Sequence, residues 1–126
     1  MIEVRGVSKK FGKLEVLKDV SISCKSGQCI ALIGPNGCGK TTLIKSILGM
    51  VLPDSGTMEF NQKSVFGDFL YRERIGYMPQ IGRYPDTMTI GEIIEMVKKI
   101  RNSKEVLDDD LYHTFGIEKM LNKQMR

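Results

Sequence analysis

The chain has 126 residues, 41% hydrophobic and 27% charged, the make-up of one globular domain with a single core. Its apolar runs are too short to cross a bilayer and its start, "MIEVRGVSKK", has no signal-peptide stretch, so a cytosolic chain is expected. The net charge of +4 is scattered rather than massed, which reads as a solvated surface, and three cysteines without metal-ligand spacing (Cys24, Cys29 and Cys38) read as reduced thiols.

From the N-terminus, Ile2 and Val4 alternate with polar residues, as do Val20, Ile22 and Cys24, which predicts short strands. A Ser26-Gly27 turn leads into "QCIALIG", apolar on both faces, as in a fully buried strand of a mostly parallel sheet. Beyond the glycines that follow, Leu43, Ile44, Ile47 and Leu48 recur at helical spacing, and Gly49 can end that helix. "PDSG" (Pro53 to Gly56) is a turn and "TMEF" after it a strand; "RIGYMP", around Ile75 to Met78, reads as another, stopped by Pro79. The rest is helical. Thr89 and Glu92 form a capping box before Ile90, Ile93, Ile94, Val97 and Ile100, with Lys98, Lys99 and Arg101 in the last turn. Leu107, Leu111 and Phe115 mark a further helix closed by Gly116.

Between the apolar run and the first helix stands "GPNGCGKTT", which fits G-x-x-x-x-G-K-[ST] at Gly34, Gly39, Lys40 and Thr41. Each residue type has a physical task in holding phosphate. Glycines let backbone N–H groups turn inward and approach anionic oxygens closely. A helix beginning near Lys40 adds unpaired N–H groups and the positive end of its dipole. The lysine supplies a mobile cation for the outer phosphates, and the Thr41 hydroxyl can ligate magnesium.

The flanks narrow the class. About thirty strand-like residues precede the loop, with Phe11 in "VSKKFGK"; "MVLPDSGTMEF" follows it, and "IGYMPQ" ends in Gln80. Together these resemble the nucleotide-binding domain of an ATP-binding cassette (ABC) ATPase, from Met1 to about Ile100. The resemblance implies an α/β P-loop NTPase fold, incomplete: an N-terminal antiparallel β part, the Walker A strand, loop and helix, and the start of the helical subdomain. It implies residues 1–88 as the N-terminal part of the catalytic core and 89–126 as the helical subdomain, cut before the signature motif. The strand before the loop would lie between the Walker B strand and the strand leading to the switch histidine, both later in the family's sequence.

The same resemblance assigns roles. Phe11 matches the aromatic that stacks on adenine. Gly34, Pro35, Asn36, Gly37, Cys38, Gly39, Lys40, Thr41 and Thr42 match the phosphate-binding loop, with Thr41 and Gln80 as magnesium ligands and Lys40 and Gln80 as catalytic residues. Cys38 stands where a serine or alanine is commoner. Arg83, Tyr84 and Met88 are candidate contacts to a membrane subunit, an ordinary exposed loop being the alternative. The "LSGGQ" signature, the Walker B carboxylates and the switch histidine are not in this sequence, and His113, the sole histidine, reads as a surface or partly buried helix residue.

The implied function is that of an ATP-binding subunit of an ABC transporter, hydrolysing MgATP in the full-length dimer, with this chain alone inactive. Its partners would be a second nucleotide-binding domain and a transmembrane permease, with no direct nucleic acid, at the cytoplasmic face of the membrane. A soluble ABC-type ATPase acting on nucleic acid or ribosomes, or a non-hydrolysing nucleotide-binding module, are the alternatives. A GTPase is disfavoured, since "NKQM" at Asn122 to Met125 lacks the aspartate of N-K-x-D.

Overall fold

Apolar residues alternating near the N-terminus build two long strands, β1 (Ile2–Phe11) and β2 (Leu14–Cys24). In the computed structural model, which describes residues 1–82, 84–101 and 109–125, they pair antiparallel from Ile2↔Cys24 to Phe11↔Leu14. The register is irregular between Val4 and Lys10. On the other side of β1 runs β3 (Ser55–Phe60), paired from Ile2↔Phe60 to Ser8↔Ser55, and the short β4 (Lys63–Ser64) completes a sheet of order β2-β1-β3-β4. Gly56 permits a close approach of β3 to β1: a Cβ there would lie 2.5 Å from the Gly6 carbonyl oxygen.

One face of this sheet is buried. Val4, Val7, Leu17 and Met58 form a core with Val65, Tyr71 and Leu43, the last contributed by helix α1 (Lys40–Ile47). Burying a leucine stabilises by about 1.5–3 kcal/mol, so Leu43 is a principal anchor of α1 on the sheet. The helix ends as the glycine signal indicates, with Gly49 at φ +66° and its N–H donating to Ser46 O at 2.9 Å. Two side chains of a 3-10 turn, Leu70–Arg74, secure that end: the Tyr71 hydroxyl donates to Ile47 O at 2.9 Å, and the Arg72 guanidinium to Gly49 O at 3.0 Å.

Two expected strands are absent. Residues 28–35 form no regular element and join no ladder, and Ile30, Leu32 and Ile33 are 51%, 44% and 91% exposed. The reading of "CIALIG" as a fully buried strand, and with it the strand of the strand-loop-helix unit, is therefore corrected. An apolar run records a tendency to be covered on both faces, whereas a strand exists only with a partner to bond. No described segment supplies one. Residues 75–79 likewise form no strand, and Met78 is 91% exposed.

The chain divides into two units, Met1–Gly76 and Tyr77–Arg126. In the second, α2 (Ile90–Arg101) starts at the expected capping box: Glu92 Oε2 accepts from the Thr89 N–H at 2.8 Å, and the Glu92 N–H donates to Thr89 Oγ1 at 3.2 Å. Residues 121–125 lie along its first turn, with Gly91 N–H donating to Leu121 O and Ile90 N–H to Lys123 O. Helix α3 (Asp109–Thr114) precedes Gly116 at φ +59°; Leu107 lies outside the described residues. Among the described residues no helix is long and apolar enough to cross a membrane.

Candidate functional site

The loop preceding α1 owes its shape to three glycines. Gly37 and Gly39 stand at φ +82° and +94°, left-handed conformations that side chains disfavour. A Cβ on Gly39 would also lie 2.5 Å from the Val16 carbonyl oxygen, so β2 rests directly on the head of the helix. Gly34 has an ordinary φ, but a Cβ on it would meet the Cys38 sulfur at 2.7 Å. The loop thus closes on itself across Gly34 and Cys38.

Into this ring folds the Lys40 side chain. Its ammonium donates to Gly34 O at 2.6 Å and Pro35 O at 2.7 Å, and lies 3.7 Å from Cys38 Sγ. The first turn of α1 holds no acidic residue. The N–H groups at a helix start have no acceptor four residues back, and here the helical bonds begin with Leu43 N–H to Gly39 O at 2.8 Å. A cation, unpaired amide donors and a positive dipole end therefore converge without a counter-charge from the first turn, the chemistry of an anion site. Thr41 is exposed beside them and Thr42 half-buried. Among the described residues no cluster of three or more His, Cys, Asp or Glu could hold a metal ion. The hydroxyl of Thr41 suits magnesium, which keeps water and phosphate ligands and needs few from protein.

Phe11 closes β1 opposite Leu14 and is 50% exposed, outside the core cluster. Leu14 is two residues from Val16, which abuts Gly39. Two strand residues rise about 7 Å and a cross-strand pair stands about 5 Å apart, so Phe11 is on the order of 10 Å from the loop. A nucleoside can bridge that separation. Lys9 Nζ lies 5.5 Å from the Phe11 ring centroid and bonds Asp54 Oδ1 at 2.7 Å. The lysine bond, reinforced by the Lys10 N–H, holds the Asp54 carboxyl below its usual range.

Phe11 and residues 34–42 thus share the unit Met1–Gly76, while Gln80, Tyr84 and Met88 belong to Tyr77–Arg126 and are described with it. Gln80 is exposed; Met88 is half-buried, its carbonyl accepting from Met125 N–H at 3.1 Å. Arg83 lies outside the described residues. His113 is exposed on α3, within its reading as a surface or partly buried helix residue, and pairs with Glu118. Sequence reasoning missed Lys9, Asp54, Tyr71 and Arg72. Only Lys9 left a trace, standing two residues before Phe11 and so on the same face of the strand.

Comparison with known proteins is consistent with this geometry. The pattern of the family described as "ABC transporter" matches residues 17–126. The chain is 35% identical over 97 residues to the Nod factor export ATP-binding protein I of Ralstonia nicotianae, covering 76% of this chain and 30% of that protein. It is 31% identical over 121 residues to the sulfate/thiosulfate import ATP-binding protein CysA of Pectobacterium atrosepticum, covering 92% of this chain and 37% of that one. A solved ATP-binding subunit of an ABC transporter superposes with a TM-score of 0.82 at 26% identity, covering 98% of this chain and 54% of the other. The chain therefore spans about a third of the length of these curated relatives.

Proposed function

The chain belongs to the ABC transporter family, and from that premise we propose that it is the nucleotide-gripping portion of a transporter's ATP-binding subunit. Residues 34–42 hold the phosphates of ATP and Phe11 stacks on the base. One observation carries this reading: the Lys40 ammonium is folded into its own loop on Gly34 O and Pro35 O, at the head of a helix whose first turn has no acid. The loop carbonyls are stand-ins that a phosphate oxygen can replace. Backbone N–H groups of the loop would orient the phosphates, and Lys40 would neutralise the outer ones. Magnesium, when bound, supplies charge neutralisation at the phosphates, and Thr41 is the residue of the unit Met1–Gly76 that would meet it.

Hydrolysis belongs to the whole protein, acting as a dimer with a second nucleotide-binding domain. A transmembrane permease is the further partner, and the cytoplasmic face of the membrane the location. The relatives' names, one an export and one an import subunit, support a transport role and leave the cargo open. Titration calorimetry with ATP, ADP and AMP, with and without magnesium, tests the proposal. Affinity should rise with phosphate number and, for ATP, with magnesium. Equal affinity for ATP and AMP would overturn it.

A further inference from the structure

Phe11 raises a question that its proposed role leaves open: what holds an exposed ring at a hairpin tip in one orientation? It adjoins a two-residue turn containing Gly12 at φ +59°, and half its surface faces solvent. It is not a member of the core cluster.

The β1–β3 ladder ends at Ser8↔Ser55, three residues short of Phe11. Beyond that point Asp54 takes over from the missing strand. Its N–H donates to Ser8 O at 2.9 Å, its Oδ2 accepts from Lys10 N–H at 2.7 Å, and its Oδ1 accepts from Lys9 Nζ at 2.7 Å. Three bonds thus tie one residue to three consecutive positions of β1. Lys9 is left with little freedom, its side chain being 17% exposed. Its ammonium lies 5.5 Å from the Phe11 centroid, within the range of a cation–π contact.

We propose that Lys9, clamped by Asp54, is a positioning residue for the base platform: it holds one face of the Phe11 ring and leaves the other to the adenine. This rests on the reading of Phe11 as the stacking residue. A flat side chain held by a fixed cation loses less rotamer freedom when a base docks, and the cation attracts the ring's π electrons from the far side. Lys9 acts on nucleotide affinity only through the ring. Its effect is therefore confined to ligands that carry a base.

The test compares ATP with inorganic tripolyphosphate, which has the phosphates and no base, by calorimetry. Lys9→Met and Asp54→Asn should each weaken ATP about two- to fivefold, the affinity equivalent of an exposed cation–π contact, and leave tripolyphosphate unchanged. Lys9→Arg keeps a cation that stacks on rings and should restore ATP binding. In a Phe11→Ala background Lys9→Met should have no further effect. Equal losses for ATP and tripolyphosphate would make Lys9 a phosphate ligand and overturn the proposal. So would an unchanged ATP affinity in Lys9→Met while Phe11→Ala weakens it. If Phe11→Ala leaves ATP affinity intact, the platform reading fails and the proposal with it, whereas retained tripolyphosphate binding would keep the phosphate loop.

Discussion

Replacing Lys40 by alanine isolates the charge on which the phosphate site depends. The ammonium makes two short hydrogen bonds, to Gly34 O and Pro35 O. Binding a triphosphate exchanges carbonyl acceptors for anionic oxygens, so the affinity at stake is the difference between the two sets. A hydrogen bond involving a charged partner contributes about 1.5–3 kcal/mol, and one such net gain corresponds to roughly ten- to 150-fold in affinity. Lys40→Ala should therefore weaken ATP by at least about tenfold, and AMP by less, because AMP lacks the outer phosphates. The wild-type affinity should fall with added salt more steeply than the variant's, since screening acts on the charge that was removed. Calorimetry at two salt concentrations, with circular dichroism to establish folding, measures all three effects. An unchanged ATP affinity in a folded variant would refute the phosphate-cradle reasoning outright.

Cys38 is exposed and its sulfur lies against Gly34 and near Lys40, so bound ATP should slow its labelling by maleimide while leaving that of exposed Cys29 unaffected; half-buried Cys24 should label slowest. Peptide mapping after a short pulse decides this, and equal Cys38 labelling with and without ATP would place the thiol away from the phosphates. Asp54 has its carboxyl held below the usual 3.8 by Lys9 and the Lys10 N–H, so its ionised form favours the folded state. That contribution is complete above the unfolded value and is lost as pH falls through the lower folded one, so an acid titration should narrow the gap between wild type and Asp54→Asn only below about pH 4. A gap that closes at higher pH would contradict it. The unpaired, exposed run Ile30 to Ile33 is a template for strand addition, so the 126-residue polypeptide should self-associate and Leu32→Lys should reduce this in light scattering. Equal scattering by both would locate the association elsewhere.

What the sequence determined by itself was local. The loop at Gly34 to Thr42 is legible because its demands, left-handed φ at Gly37 and Gly39 and a lysine at the head of a helix, fall on residues within one turn of each other. The Thr89–Glu92 capping box is legible for the same reason, its bonds spanning three residues. Alternation at Ile2 and Val4 and at Val20 to Cys24 announced short strands where β1 and β2 stand, but not their full 10 and 11 residues, nor the two-residue turn that brings them together with little loop entropy to overcome. Tertiary structure alone decided the rest. Asp54 reaches β1 from 44 and 45 positions away, and Tyr71 grips the end of α1 from 24, separations at which no pattern announces a partner. "CIALIG" shows the difference most plainly: its apolar side chains declare that it is to be covered on both faces, but whether it becomes a strand depends on hydrogen-bonding neighbours that its own residues cannot supply.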